Sequence, residues 1–318
     1  MNLIRAAAAL CFTCATLAHA AEFPAKPVTL VVAYAPGGLG DALARTIAER
    51  LTISLKQAVL VENKPGATGA IATKFVARAN PDGYTLLLGQ TGEIAINTAV
   101  MKDPGYDPLN DLRAIALVGD SPLVLVAPPN TPVSTVREIA QFAGKGNVTS
   151  YASSGTATPG HLAAEAMIGA LKTPMTHVPY KGAGPALTDV LGGHVSFFFS
   201  SAGATFGHVK AGKLKAIAVS SSARMAALPS TPAVAETLPG FAFGLWGGVF
   251  APAATPNEVV MQLNREINKV LADAAPKQKI EDLGAIVRAV TPEQFTAFVQ
   301  SETAKYQQLV KQIGIKAE

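Results

Sequence analysis

The chain has 318 residues, 49% of them hydrophobic and only 15% charged, a balance that supplies a sizeable packed core and excludes an intrinsically disordered protein. Its 26 basic and 22 acidic side chains leave a net charge of +4, and there are one Trp and six Tyr. That is too little for a phosphate-binding stripe or a base-stacking platform, so nucleic acid is not expected as a partner. Arg5 precedes an apolar Ala/Leu/Cys/Phe stretch that ends in Ala18-His19-Ala20, the small-x-small pattern of a signal-peptidase site. Removing residues 1–20 as a signal peptide takes away Cys11, Cys14 and one arginine, and leaves a cysteine-free mature chain beginning at Ala21. Disulfide scaffolds, thiolate metal centres and cysteine nucleophiles are excluded with it. No later segment offers about 18 consecutive apolar residues, and Cys14 lacks a lipid-attachment context, so the expectation is a soluble periplasmic or secreted protein.

Short β-branched runs then alternate with Ala-rich helical stretches, the pattern of βαβ units. Residues 28–34 predict a buried strand, broken by Pro36-Gly37-Gly38-Leu39-Gly40-Asp41. A helix follows over 42–55, with Leu43, Ile47, Leu51 and Leu55 at a spacing of four. Next come a strand at 58–61, a helix near 69–79 and a strand at 84–88. The Pro-bearing loop Tyr106 to Asp111, followed by closely spaced strands at 114–118 and 123–127, reads as a domain crossing. The plan then restarts: helix 133–142, strand 148–152, helix 161–171, strand 175–178, helix 185–191, and strands 195–199 and 214–219. A strand at 246–250 precedes two helices, one opened by Thr255-Pro256 and one by Thr291-Pro292-Glu293 that runs to about Lys311. If these two helices pack back on the first half, that lobe is discontinuous: residues 22–123 and 222–318 form lobe 1, and 124–221 form lobe 2. A cleft between lobes is the natural ligand site.

Two loops have the chemistry to hold an anion. In Pro36 to Asp41, glycines allow close backbone approach and the first-turn N–H groups of the following helix lack internal partners. Asp41 reads as its N-cap, with a carboxylate that must already be occupied if an anion is to enter. The second loop is Ser153-Ser154-Gly155-Thr156-Ala157-Thr158, ahead of the helix containing His161, where hydroxyls and amides suit a carboxylate. Competing motifs fail on detail. Gly38-x-Gly40 has Leu43 where a dinucleotide site needs a small residue, and Gly207 to Lys213 is followed by Leu214 instead of a magnesium-binding hydroxyl. The four mature histidines have no metal-ligand spacing. No cofactor is expected. Lys181 reads as a solvated turn lysine that could reach an acidic ligand.

Pro27-Val28-Thr29-Leu30-Val31-Val32 running into Pro36-Gly37-Gly38, Val61-Glu62-Asn63-Lys64-Pro65-Gly66-Ala67, Pro81-Asp82-Gly83-Tyr84-Thr85-Leu86-Leu87, and Val178-Pro179-Tyr180-Lys181-Gly182 occur in an order that resembles the Bug-type extracytoplasmic solute receptors of tripartite tricarboxylate transporters. The resemblance implies an α/β type II periplasmic-binding-protein fold, two lobes with mostly parallel sheets joined by a hinge. It also implies capture of a small organic acid for delivery to membrane permease subunits, without catalysis. A monomer is expected. One ligand carboxylate would be held by Pro36 to Asp41 and by Gly89-Gln90-Thr91-Gly92, and the opposite lobe would contribute Ser153, Gly155, Thr156 and Thr158. Where the family often has Ser-Thr, this chain has Leu39-Gly40; two family aspartates are Ser196 and Ser200; a usual glycine is Ala157. Loss of carboxylates leaves room for a different distal group near Ser200, and Leu39 with Phe199 would favour a monocarboxylate or dicarboxylate with a hydrophobic, even aromatic, portion. Two other readings stay open: an exported hydrolase using Ser153 or Ser154, and a ligand sensor for a membrane kinase.

Overall fold

Continuous runs of β-branched and aliphatic residues form the central strands, buried on both faces, while the edge strands stay partly exposed, and their order sets the architecture. In the computed structural model, residues 23–144, 149–180 and 182–314 are described; the expected signal segment and Lys181 lie outside them. Strand β1 (Val28–Val32) leads into helix α1 (Leu39–Ser54), and β2 (Val59–Asn63) into α2 (Ala70–Ala77). Strand β3 (Thr85–Gln90) is followed by a π-helical segment, Gly92–Ile96, and the single turn α3 (Asn97–Val100). Leu43, Ile47, Leu51 and Leu55 are all buried against the sheet, as their spacing predicts, each worth about 1.5–3 kcal/mol of transfer free energy.

Strand β4 spans Leu112–Ala127, 16 residues. The two strands expected there are one, because Gly119-Asp120-Ser121-Pro122, turn formers by composition, are held extended from both sides. Gly119 to Pro122 pair with Gly247 to Gly244 of β9 (Gly244–Pro252), Asp120 exchanges backbone hydrogen bonds with Ile286, and Ser121 Oγ donates to Gly284 O at 3.0 Å. The Tyr106 to Asp111 loop is therefore not the crossing. It stays with the first sheet: Ala253 N–H donates to Asp111 O, and Arg113 donates to Thr255 O and Asn257. The chain passes to the second sheet inside β4, whose last residues pair with β7 (Phe197–Ser201) and β8 (Lys215–Val219).

The remaining elements are α4 (Val136–Gly144), β5 (Ser150–Ser153), α5 (Pro159–Leu171), β6 (Thr176–Pro179), α6 (Ala183–Leu191) and α7 (Ala202–Lys210). After β9 come α8 (Asn257–Ala272), α9 (Ala274–Asp282), which the sequence reading did not separate, and α10 (Pro292–Ile313). Strand order is β2-β1-β3-β9-β4-β7-β5-β6, with β8 on β4. The triplets β2/β1/β3 and β7/β5/β6 are parallel, as βαβ crossovers require, and every antiparallel pairing involves β4 or β9. Helices α8 and α9 bury Val260, Leu263, Ile267, Leu271 and Ile280 with the β1 and α1 side chains; α10 buries Phe295, Val299 and Tyr306 on the other face of the same sheet. The C-terminal helices thus return to the first half of the chain.

Candidate solute site

The bend after β1 is a helix start with its donors left over. Gly38 is the N-cap of α1, with φ −80° and ψ 173°, and the N–H groups of Gly38, Leu39 and Gly40 find no acceptor among the described residues. Pro36, Gly37 and Gly38 are exposed. Asp41 is not the N-cap but the third helical residue, because the turn closes one step earlier at Gly38. Its buried carboxylate accepts from Gly37 N–H at 3.0 Å, from Arg45 Nε at 3.1 Å and from Asn63 Nδ2 at 3.0 Å. Burial pulls the Asp41 pKa upward, but Arg45, Gly37 and Asn63 together outweigh it and hold the group below the usual carboxylate range. The charge that would repel an incoming anion is thereby neutralised locally. The Asp41/Arg45 pair was legible as an (i, i+4) match on a helix; Asn63, from β2, was not.

Gln90 closes the floor of this bend. A Cβ placed on Gly40 would lie 2.5 Å from the Gln90 carboxamide, so any side chain there would push the end of Gln90 out of its present place. Thr91 is fully buried, and its hydroxyl is committed to β9, accepting from Trp246 N–H at 2.9 Å and donating to Gly244 O at 3.4 Å. Gly92 faces the Tyr34 hydroxyl. Behind them stands Glu93, which the sequence reading missed. It is fully buried, one oxygen accepting from Gln90 N–H at 2.7 Å and the other from Tyr34 Oη at 2.9 Å, while its backbone carbonyl accepts from Tyr106 Oη at 2.6 Å. Burial raises its pKa to about 7 against the lowering effect of those hydrogen bonds. The one sequence signal was its position three residues after Gln90, from which a side chain reaches back across a helix start. A π-helical segment is also an uncommon feature that recurs at functional sites.

The second bend is tied from within. Ser153 is buried; its Oγ lies 2.7 Å from His177 Nε2, donates to Gly155 O at 3.0 Å and accepts from Gly155 N–H at 3.2 Å. Thr158 is the N-cap of α5, but its hydroxyl donates to Gly155 O at 2.8 Å instead of capping the helix. Ser154 O accepts from Gly182 N–H at 3.0 Å, and Thr156 is exposed. Gly160, against Phe199 O, brings the helix start onto β7. Ala157 and Leu162 share one apolar cluster with Ala33, Ile94, Trp246 and Tyr306, so this bend rests on elements of the first sheet.

One expectation about the ligand's distal end, the place of Phe199, is corrected. Phe199 is 2% exposed and packs on Phe241 inside the second core, because strand alternation turns it to the α5 side; it lines no opening. Leu39 is half-buried against the core beneath α1. Ser200, also on β7, is buried with a hydroxyl that has no hydrogen-bond partner.

Two parallel-sheet lobes joined through a shared strand, with helix-start donors left unpaired beside a neutralised aspartate, define a two-lobed solute-binding receptor. The chain belongs to the tripartite tricarboxylate transporter receptor family, whose family model matches residues 43–315. Protein BugT of Bordetella pertussis is 34% identical over 99% of both chains. Among solved structures, Rpa4515 of R. palustris with adipate is 31% identical with a TM-score of 0.84, covering 93% of this chain and 99% of that one. MatC from Rhodopseudomonas palustris with bound malate is 31% identical with a TM-score of 0.79, covering 91% and 100%.

Proposed function

We propose that the protein is a periplasmic receptor, exported through residues 1–20 and acting as a monomer, that closes on a small organic carboxylate and passes it to membrane permease subunits. Lobe 1 comprises 22–123 and 222–318, lobe 2 comprises 124–221, and the ligand bridges Pro36 to Asp41 with Gln90, Thr91 and Gly92 on one side and Ser153 to Thr158 with Ser200 on the other. The observation that carries this reading is the set of N–H groups at Gly38, Leu39 and Gly40 that have no acceptor among the described residues, next to an Asp41 carboxylate already satisfied by Arg45, Asn63 and Gly37. Several charge-assisted hydrogen bonds from such amides are each worth about 1.5–3 kcal/mol. A ligand touching both lobes stabilises the closed state by its differential affinity for it. Thr91 takes part through its backbone, since its hydroxyl is already engaged. With Phe199 withdrawn into the core, selectivity for the distal group rests on Ser200 and the exposed Thr156.

The adipate and malate held by the relatives make dicarboxylates the first compounds to test. Isothermal titration should give binding of at least one member of a mono- and dicarboxylate panel, and native mass spectrometry should find a co-purified acid. Binding of sugars with no acid bound would overturn the assignment. The hydrolase reading is favoured by one contact, Ser153 Oγ to His177 Nε2 at 2.7 Å. Against it, Ser153 is buried and shared with Gly155, and the other His177 nitrogen has no hydrogen bond among the described residues to orient the ring. We therefore read the protein as a receptor and not an enzyme; turnover of generic esters abolished by Ser153→Ala would reverse this.

A further inference from the structure

Two histidines outside the candidate set converge on the second bend from different elements. His177 on β6 meets Ser153 Oγ at 2.7 Å, and His161 on α5 accepts the Ala157 N–H at its Nδ1 at 3.0 Å. The contacts fall at the first residue of the bend and at its most strained one, since Ala157 has φ +59°, the left-handed region that an L-residue other than glycine adopts only at a cost. The rings stack at 4.0 Å with 13° between planes, and Tyr151 stacks on His177 at 4.9 Å. We propose that His161 and His177 are positioning residues of the solute site, uncharged imidazoles that hold both ends of Ser153 to Thr158 in the shape that receives the ligand carboxylate. This rests on the receptor reading given above.

Acceptance at Nδ1 requires that nitrogen to be unprotonated, which places the His161 proton on Nε2. With the Ser153 hydroxyl proton directed to Gly155 O, His177 donates from Nε2. A proton added to His161 would turn Nδ1 into a donor facing the Ala157 N–H and would break the brace. The surroundings disfavour that proton. Glu165, on the same helix, lies 3.9 Å from His161 Nε2, but its Oε1 already accepts from Tyr151 Oη. On α10, packed against α5, Glu302 pairs with Lys305 and accepts from Trp246 Nε1, and Tyr306 is buried. On α6, Asp189 accepts from Tyr180 Oη, and β7 brings no titratable group. Burial first, and the neighbouring His177 second, depress the His161 pKa to about 4; burial also lowers that of His177, against the opposing pull of Glu165.

The decisive comparison is between His161→Phe, which keeps a stacking ring but removes the acceptor, and His161→Gln, which restores one. Titrated with adipate and malate at pH 7.5, His161→Phe should lose up to about tenfold in affinity, the equivalent of one neutral hydrogen bond, and His161→Gln should recover most of it. The ratio of wild-type to His161→Phe affinity should stay constant from pH 8 to about 5 and shrink only as His161 begins to protonate, since protonation of the ligand and of Glu93 affects both proteins alike. Independently of any ligand, the imidazole ¹⁵N spectrum should show Nδ1 of His161 unprotonated at pH 6, and the Ala157 amide should exchange faster in His161→Phe. Equal affinities for the three proteins, an Nδ1-protonated tautomer, or unchanged Ala157 exchange would overturn the proposal. If wild type binds neither acid, the receptor reading fails on its own, while the tautomer and exchange measurements still decide whether the brace exists.

Discussion

Gly38→Val separates binding from folding. Gly38 has an extended backbone that any residue adopts, and a Cβ there meets nothing within 4 Å. The fold should therefore lose only the difference between glycine and valine at an N-cap, up to about 1 kcal/mol, small against the roughly 5–15 kcal/mol of a stable domain. The melting temperature should drop by no more than about 2–4 °C. Two γ-methyl groups would, however, crowd the approach to the N–H groups of Leu39 and Gly40. Loss of one charge-assisted hydrogen bond to a carboxylate, about 1.5–3 kcal/mol, corresponds to roughly a 10- to 150-fold weaker dissociation constant. Calorimetric titration with adipate and malate, run beside thermal denaturation followed by circular dichroism, reads both quantities. Affinity within twofold of wild type, with the protein folded, would show that these amides do not hold the ligand.

Glu93→Gln tests the buried carboxylate. Its folded pKa near 7 exceeds the usual value near 4.5, so its stabilising contribution is complete below about pH 4.5 and lost as pH rises through 7. The variant should melt higher than wild type at pH 8 and equally at pH 4.5, and a lower melting point at pH 8 would contradict this. His161 has the opposite sign, its contribution being lost as pH falls from about 6.5 toward 4, so the two must be separated by single variants. Phe199→Ala should lower stability by about 3–5 kcal/mol in urea denaturation, as core truncation does; a normal midpoint with altered ligand preference would return Phe199 to the cleft. Ala157→Gly should raise stability by up to about 1 kcal/mol through relief of the left-handed strain, and a clear loss would show that the bend is not strained there.

What could be read from sequence was whatever local spacing determines. Leu43, Ile47, Leu51 and Leu55 announce α1 and its buried face, and the Gly-rich bend after β1 shows where donors are left over. Gly119-Asp120-Ser121-Pro122 misled because their extended state is imposed by β9 and by Ile286, both far along the chain. The same holds for the supporting residues. Tyr34 and Glu93 are 59 positions apart, and His161 stacks on His177 only because β5 pairs with β6 beside α5. Phe199 was misassigned because a strand residue's side is settled by which sheet face its helix covers, which the run Phe197-Phe198-Phe199 does not reveal.

Strand β4 leaves one mechanical consequence. Register irregularities fall on both sides of the passage between sheets, between Ala114 and Ala116, Leu117 and Gly119, and Leu125 and Val126, while Asp120 to Pro122 stay paired with β9. A bulged ribbon bends and twists more readily than it slides, because sliding would break every rung at once. Opening and shutting would then amount to torsion about this ribbon, returning the two bends to the same mutual placement after each release of cargo.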